Sequence, residues 1–135
     1  MTRRFTRWMS AAALLATIFV AGASPARAAD TLSHDVFFAL KDNSEAARGK
    51  LVAACQKYLT RHEGTMSFSV GTRVGENTRD VNDQDFDVAL HILFKDKASH
   101  DKYQAAARHK QFITENSENW KKVRVFDSYV AVAPK

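Results

Sequence analysis

The sequence predicts a single α+β domain behind a removable leader, and three observations carry that prediction. Four segments alternate apolar and polar residues at the two-residue period of a strand. Two stretches of helical apolar spacing separate the first strand from the second and the third from the fourth. The N-terminal residues differ in composition from everything that follows. A βαββαβ order folds as two split βαβ halves, giving a four-stranded antiparallel sheet with two helices on one face.

Residues 1–28 read as a secretory signal peptide. Arg3, Arg4 and Arg7 precede an apolar stretch from Trp8 to Ala23, followed by Ser24-Pro25-Ala26-Arg27-Ala28. Ala26 and Ala28 supply the small residues before a cut after Ala28, leaving residues 29–135 as the domain. The apolar stretch is shorter than the ~20 residues of a spanning helix, so no stable membrane anchor is expected after cleavage. The expected destination is the periplasm or the exterior.

The leader also distorts the charge balance. The chain carries 20 basic and 15 acidic residues, a net +5. Four of the basic residues (Arg3, Arg4, Arg7 and Arg27) and none of the acidic ones leave with residues 1–28, so the domain is nearly neutral. That argues against nucleic acid as a partner, which calls for a basic face. Cys55 is the lone cysteine, so no internal disulfide can form and packing must hold the domain together.

Ser33 to Lys41 alternates His34, Val36, Phe38 and Leu40 with Asp35, Phe37, Ala39 and Lys41, and forms the first strand. Asp42 and Glu45 stand at capping-box spacing before a helix carried by Ala47, Leu51, Ala54, Cys55, Tyr58 and Leu59, which stops near His62 and Gly64. Met66, Phe68 and Val70 mark the second strand, and the polar run Thr72 to Asp85 a loop. Phe86, Val88, Leu90, Ile92 and Phe94 form the third strand. Lys97 to Asn119 is helical in pattern, whole or in two pieces, with Tyr103, Ala106, Phe112, Ile113 and Trp120 as apolar contacts. Val123 to Val132 closes the sheet before Pro134. The sheet face away from the helices must carry Phe37 or Phe38 and Leu93 or Leu90. An apolar face of that kind calls for a partner, and a second copy closing a barrel around a cavity is the economical one.

No glycine-rich cradle, dinucleotide fingerprint or zinc-type His/Cys spacing occurs, so neither a cofactor nor a metal is expected. Asp80, Asp83, Asp85 and Asp87 lack the spacing of a calcium loop and are expected to be solvated. His91 is expected at the surface or packed against a helix, and His100 in solvent.

Taken in order, several segments resemble the stress-responsive α/β-barrel (Dabb) family. They are His34-Asp35-Val36-Phe37-Phe38-Ala39-Leu40-Lys41, Phe68-Ser69-Val70-Gly71, the run Phe86 to Phe94, Tyr103 with His109-Lys110-Gln111-Phe112, and Val125-Phe126-Asp127. The resemblance implies a ferredoxin-like protomer that pairs into a dimeric α/β barrel. Some plant relatives are cofactor-independent polyketide cyclases that use a Tyr and a His in a pocket, and Tyr103 and His109 match that pair. His34 matches a further polar pocket position. Relatives carry His-Pro where Ala106-Ala107 stand here. In an unbroken helix, residues six apart diverge by about 120° around the axis and about 9 Å along it, so Tyr103 and His109 converge only if the helix breaks between them.

The functional expectation is a homodimer binding a small apolar or aromatic ligand in its barrel cavity, with Phe38, Leu90, Trp120 and Val123 lining it. One alternative is a cofactor-independent enzyme, cyclase-, isomerase- or monooxygenase-like, using His109, Tyr103 and His34 for acid–base work. The other is a structural stress-related dimer without a ligand.

Overall fold

The computed structural model describes residues 30–131. The expected signal peptide, Val132 and Pro134 lie outside the described residues. The elements are β1 (Thr31–Leu40), α1 (Glu45–Leu59), β2 (Thr65–Thr72), β3 (Val88–Phe94), α2 (Lys97–Ala105), α3 (Ala107–Asn116), a 3-10 turn (Ser117–Asn119) and β4 (Trp120–Val130). The strands form one antiparallel sheet in the order β2-β3-β1-β4, a ferredoxin-like α+β fold.

The two-residue period decides which side chains meet the helices. Leu32, His34, Val36, Phe38 and Leu40 of β1 are buried on the helix side, as are Val88, Leu90, Ile92 and Phe94 of β3. They pack against Leu51, Cys55, Tyr58 and Leu59 of α1, Tyr103 of α2 and Phe112 of α3. Each large aliphatic or aromatic side chain buried this way contributes about 1.5–3 kcal/mol. Phe37 and Leu93 are therefore the residues on the outer face.

Local chemistry moves several boundaries from their expected places. Ser44, not Asp42, caps α1: its hydroxyl accepts from Ala47 N–H at 3.3 Å, while the Asp42 carboxylate accepts from Ser44 N–H. A bulge between Thr65 and Ser67 takes Met66 out of the alternation and leaves it exposed. β3 starts at Val88, two residues after Phe86, and Trp120 opens β4 instead of ending a helix. Gly64, at φ +81°, passes so close to α2 that an added Cβ would lie 2.1 Å from the Ser99 hydroxyl.

The acidic loop is not uniformly solvated. Asp83 pairs with Arg124 and Asp85 with Lys122, both on the outer side of β4. Asp87 is buried, and its carboxylate accepts from Leu40 N–H at 2.8 Å while its own N–H donates to the Phe38 carbonyl. Among the described residues no helix is long and apolar enough to cross a membrane.

Candidate functional site

The stretch expected as one helix or two is two, and the division creates the site. Ala106 leaves helical geometry at φ −63°, ψ 138°, between α2 and α3. No proline forces this. The Arg108 guanidinium instead donates to the carbonyls of Lys57 and Thr60 at the end of α1, at 3.3 and 2.9 Å, pinning the first turn of α3 there. The extended residue brings the Tyr103 and His109 rings to 4.6 Å between centroids, against about 9 Å of axial separation in a continuous helix.

Both rings line a pocket of about 200 Å³ between the helix side of the sheet and α2–α3. His34, Phe38, Leu90, Trp120 and Val123, the other residues singled out in the sequence, line it too. Leu59, Phe112, Ile113 and Val125 complete much of the wall and were not foreseen, their signal being membership of the same apolar stripes; polar Gln104 joins them without such a signal. One expectation needs correction. These side chains face the helices of their own protomer, so they do not line a cavity between two sheets.

Burial sets the protonation states. Desolvation lowers the His109 pKa, partly opposed by a hydrogen bond to the Gln104 backbone, so the ring is neutral at neutral pH. Its buried Nδ1 has no hydrogen-bond partner. Desolvation raises the Tyr103 phenol well above its usual value of 10.0, so it stays a proton donor. Cys55 is fully buried and its thiol is pushed up to about 12, again by desolvation, which leaves it inert.

His34 lies on a central strand. Its Nδ1 sits 2.6 Å from Asp127 Oδ1, the residue opposite it on β4. Since Asp127 occupies Nδ1, Nε2 is the nitrogen left to act on a ligand. His100, expected in solvent, is buried against His34, with ring centroids 4.9 Å apart. His34, His100 and Asp127 form the group among the described residues whose donor atoms could hold a metal, although no spacing motif pointed to one.

The outer sheet face carries a separate cluster. Phe37 packs edge-on against Phe86 at 5.1 Å and Phe126 at 5.7 Å, and Phe126 is about half exposed. Beside it, exposed His91 bonds Asp35 through Nδ1 at 2.6 Å.

The chain matches the model of the stress responsive A/B barrel domain over residues 32–130. No curated protein matches it. Among solved structures, a Dabb family protein with a ferredoxin-like fold from Mesorhizobium loti is 20% identical, with 77% of this chain and 99% of that chain covered and a TM-score of 0.63. A dimeric ferredoxin-like protein of unknown function from Thermobifida fusca is 12% identical, covering 76% and 92%, at TM-score 0.64. A hydroxynitrile lyase from Passiflora edulis is 17% identical, covering 78% and 98%, also at 0.64.

Proposed function

This chain belongs to the stress responsive A/B barrel domain family, and on that premise we propose that it is a homodimer whose protomers each bind a small, largely apolar molecule and move a proton on it with His109 and Tyr103. The observation that carries this reading is the break at Ala106, which sets the two rings 4.6 Å apart in a largely apolar pocket.

A neutral buried imidazole is a base that takes a proton from an acidic carbon or hydroxyl. A phenol kept protonated by burial donates to the oxygen on which negative charge develops. His34, oriented by Asp127, and Gln104 are further polar groups on the wall. A volume of about 200 Å³, below the ~300 Å³ at which ligand sites usually begin, suits one ring or a short branched chain. The hydroxynitrile lyase from Passiflora edulis supports the view that this fold accommodates an enzyme.

Dimerisation is supported by the exposed Phe37–Phe86–Phe126 cluster and by the dimeric Thermobifida fusca neighbour. Export to the periplasm or exterior is part of the proposal and rests on the leader; intact mass of the exported protein should begin at Ala29.

The test is deuterium uptake at the acidic carbons of a panel of small aromatic and aliphatic ketones, read by mass spectrometry. Uptake should require His109 and fall on Tyr103→Phe, while binding followed by NMR persists in His109→Gln. Binding without uptake would reduce the reading to a carrier, and no binding at all would overturn it.

A further inference from the structure

Three side chains beyond the Tyr103–His109 pair converge where β1, β4 and α2 meet. Asp127 Oδ1 lies 2.6 Å from His34 Nδ1 and 3.8 Å from His100 Nε2. One donor atom from each residue falls within 4.8 Å of the other two. We propose that His34, His100 and Asp127 are the ligands of a divalent transition-metal site, with Zn(II) its occupant. This goes beyond the pocket chemistry and does not depend on it.

The distances suit an ion after small side-chain movements. Zinc bonds of about 2.0–2.2 Å in tetrahedral array put ligand atoms roughly 3.4 Å apart. The short His34–Asp127 contact must open and the longer His100–Asp127 contact must close, each by less than about 1 Å, and the two histidine donor atoms, within 4.8 Å of each other, must approach by up to about 1.4 Å. Two imidazoles with one carboxylate favour zinc and its transition-metal neighbours over magnesium or calcium, which prefer all-oxygen shells.

The His100 tautomer is already the one required, whereas His34 Nδ1 holds its proton against Asp127 and must pass it to Nε2 when the ion takes the place of that contact. The Gln104 side-chain amide nitrogen lies 3.1 Å from His100 Nε2. An amide nitrogen can only donate, so Nε2 carries the lone pair and Nδ1 the proton. Nδ1 is buried with no hydrogen-bond partner, and Asp101 Oδ1 is 3.7 Å away, positioned to accept from it once the ring turns onto an ion.

Access is also present. Asp127 is exposed, and a shallow cavity of about 300 Å³ lies over it, bounded by Leu32, Lys97, His100, Ser128 and Tyr129. A water could complete the coordination from that side. Lys97 is the opposing charge, and its ammonium is held by Asp101 at 2.7 Å. Gln104 must yield its contact with Nε2 when the ion enters.

The experiment titrates the untagged, chelator-stripped chain with Zn(II) by calorimetry, and with Co(II) by visible absorption. One ion per protomer is expected, with the Co(II) bands of a four-coordinate nitrogen–oxygen site. His100→Gln and Asp127→Asn should each weaken binding by ~100-fold or more, beyond the 10–100-fold typical of outer-shell changes. His91→Gln, on the opposite sheet face, should bind as the unaltered chain does. If Asp127→Asn fails to fold, His100→Gln and the Co(II) spectrum of the unaltered chain still decide. No saturable binding, undiminished binding by folded His100→Gln, or an equal loss in His91→Gln overturns the site and leaves a hydrogen-bonded cluster only.

Discussion

Ala107→Pro is the substitution whose sign depends most directly on the helix break. Ala107 is the first residue of α3, and Ala106 before it is extended at φ −63°, ψ 138°. Proline is favoured at a first helical position, where the N–H has no intrahelical acceptor. The residue before a proline prefers the extended region Ala106 already occupies. Ala107 is exposed, so the ring meets no packed neighbour. The change therefore acts mainly by restricting the unfolded chain, a gain of about 0.4–1 kcal/mol. For a domain of this size each kcal/mol is worth about 4–8 °C, so Tm should rise by about 2–8 °C. A continuous helix through residue 106 would reverse the sign and cost about 3 kcal/mol. Scanning calorimetry measures the difference, with Ala105→Pro inside α2 as the control expected to lose about 3 kcal/mol. A clear loss in Ala107→Pro would refute the break, and with it the meeting of Tyr103 and His109.

Phe126→Lys places a charge in the exposed Phe37–Phe86–Phe126 cluster, and light scattering should show the dimer giving way to monomer; a dimer of unchanged strength would place the interface elsewhere. Asp87→Ala leaves the buried Leu40 N–H without its acceptor, so urea denaturation should show a loss of about 1–3 kcal/mol, and a neutral result would mean the strand end repairs itself. The pKa values of His100 and His109 are lowered in the fold, so the unfolded chain binds protons first as pH falls. Stability should be full above about 6.5 and decline below it, less steeply in His109→Gln, and a flat profile from about pH 7 to about pH 5 would contradict these shifts.

Much of the fold was legible because the sheet is two-sided and its period is two. The alternation in β1 separated His34, Val36, Phe38 and Leu40 from Asp35, Phe37 and Ala39, and the helices cover the first set. Periodicity alone did not say which set faces the helices, since both contain phenylalanine. Ends were read less well, because they depend on single hydrogen bonds. Ser44 outcompetes Asp42 as the cap, and the bulge at Met66 leaves no mark in an alternating sequence. The chain turns at Ala106 on account of Arg108, whose partners are the carbonyls of another helix. Carbonyls carry no side-chain signature, so this anchor could not be read from composition.

The histidines show where a spacing argument stops. Rules such as His-x-x-x-His describe ligands sharing one element, and by that standard this chain has none. His34 and Asp127 are instead joined by the pairing of β1 with β4, which places them directly opposite each other. That register belongs to the whole sheet and appears in no local window. His100 was more accessible to reasoning. It stands three residues before Tyr103, and residues three apart share a helix face, so placing Tyr103 in the core already drew His100 inward. The error lay in judging His100 as a lone polar residue on a polar helix, when its neighbour along the stripe fixed its side. The same logic decides His91, for which the surface and a helix-packed place were both open. It stands one residue from Leu90 and Ile92, both buried, and the strand period turns it outward to Asp35.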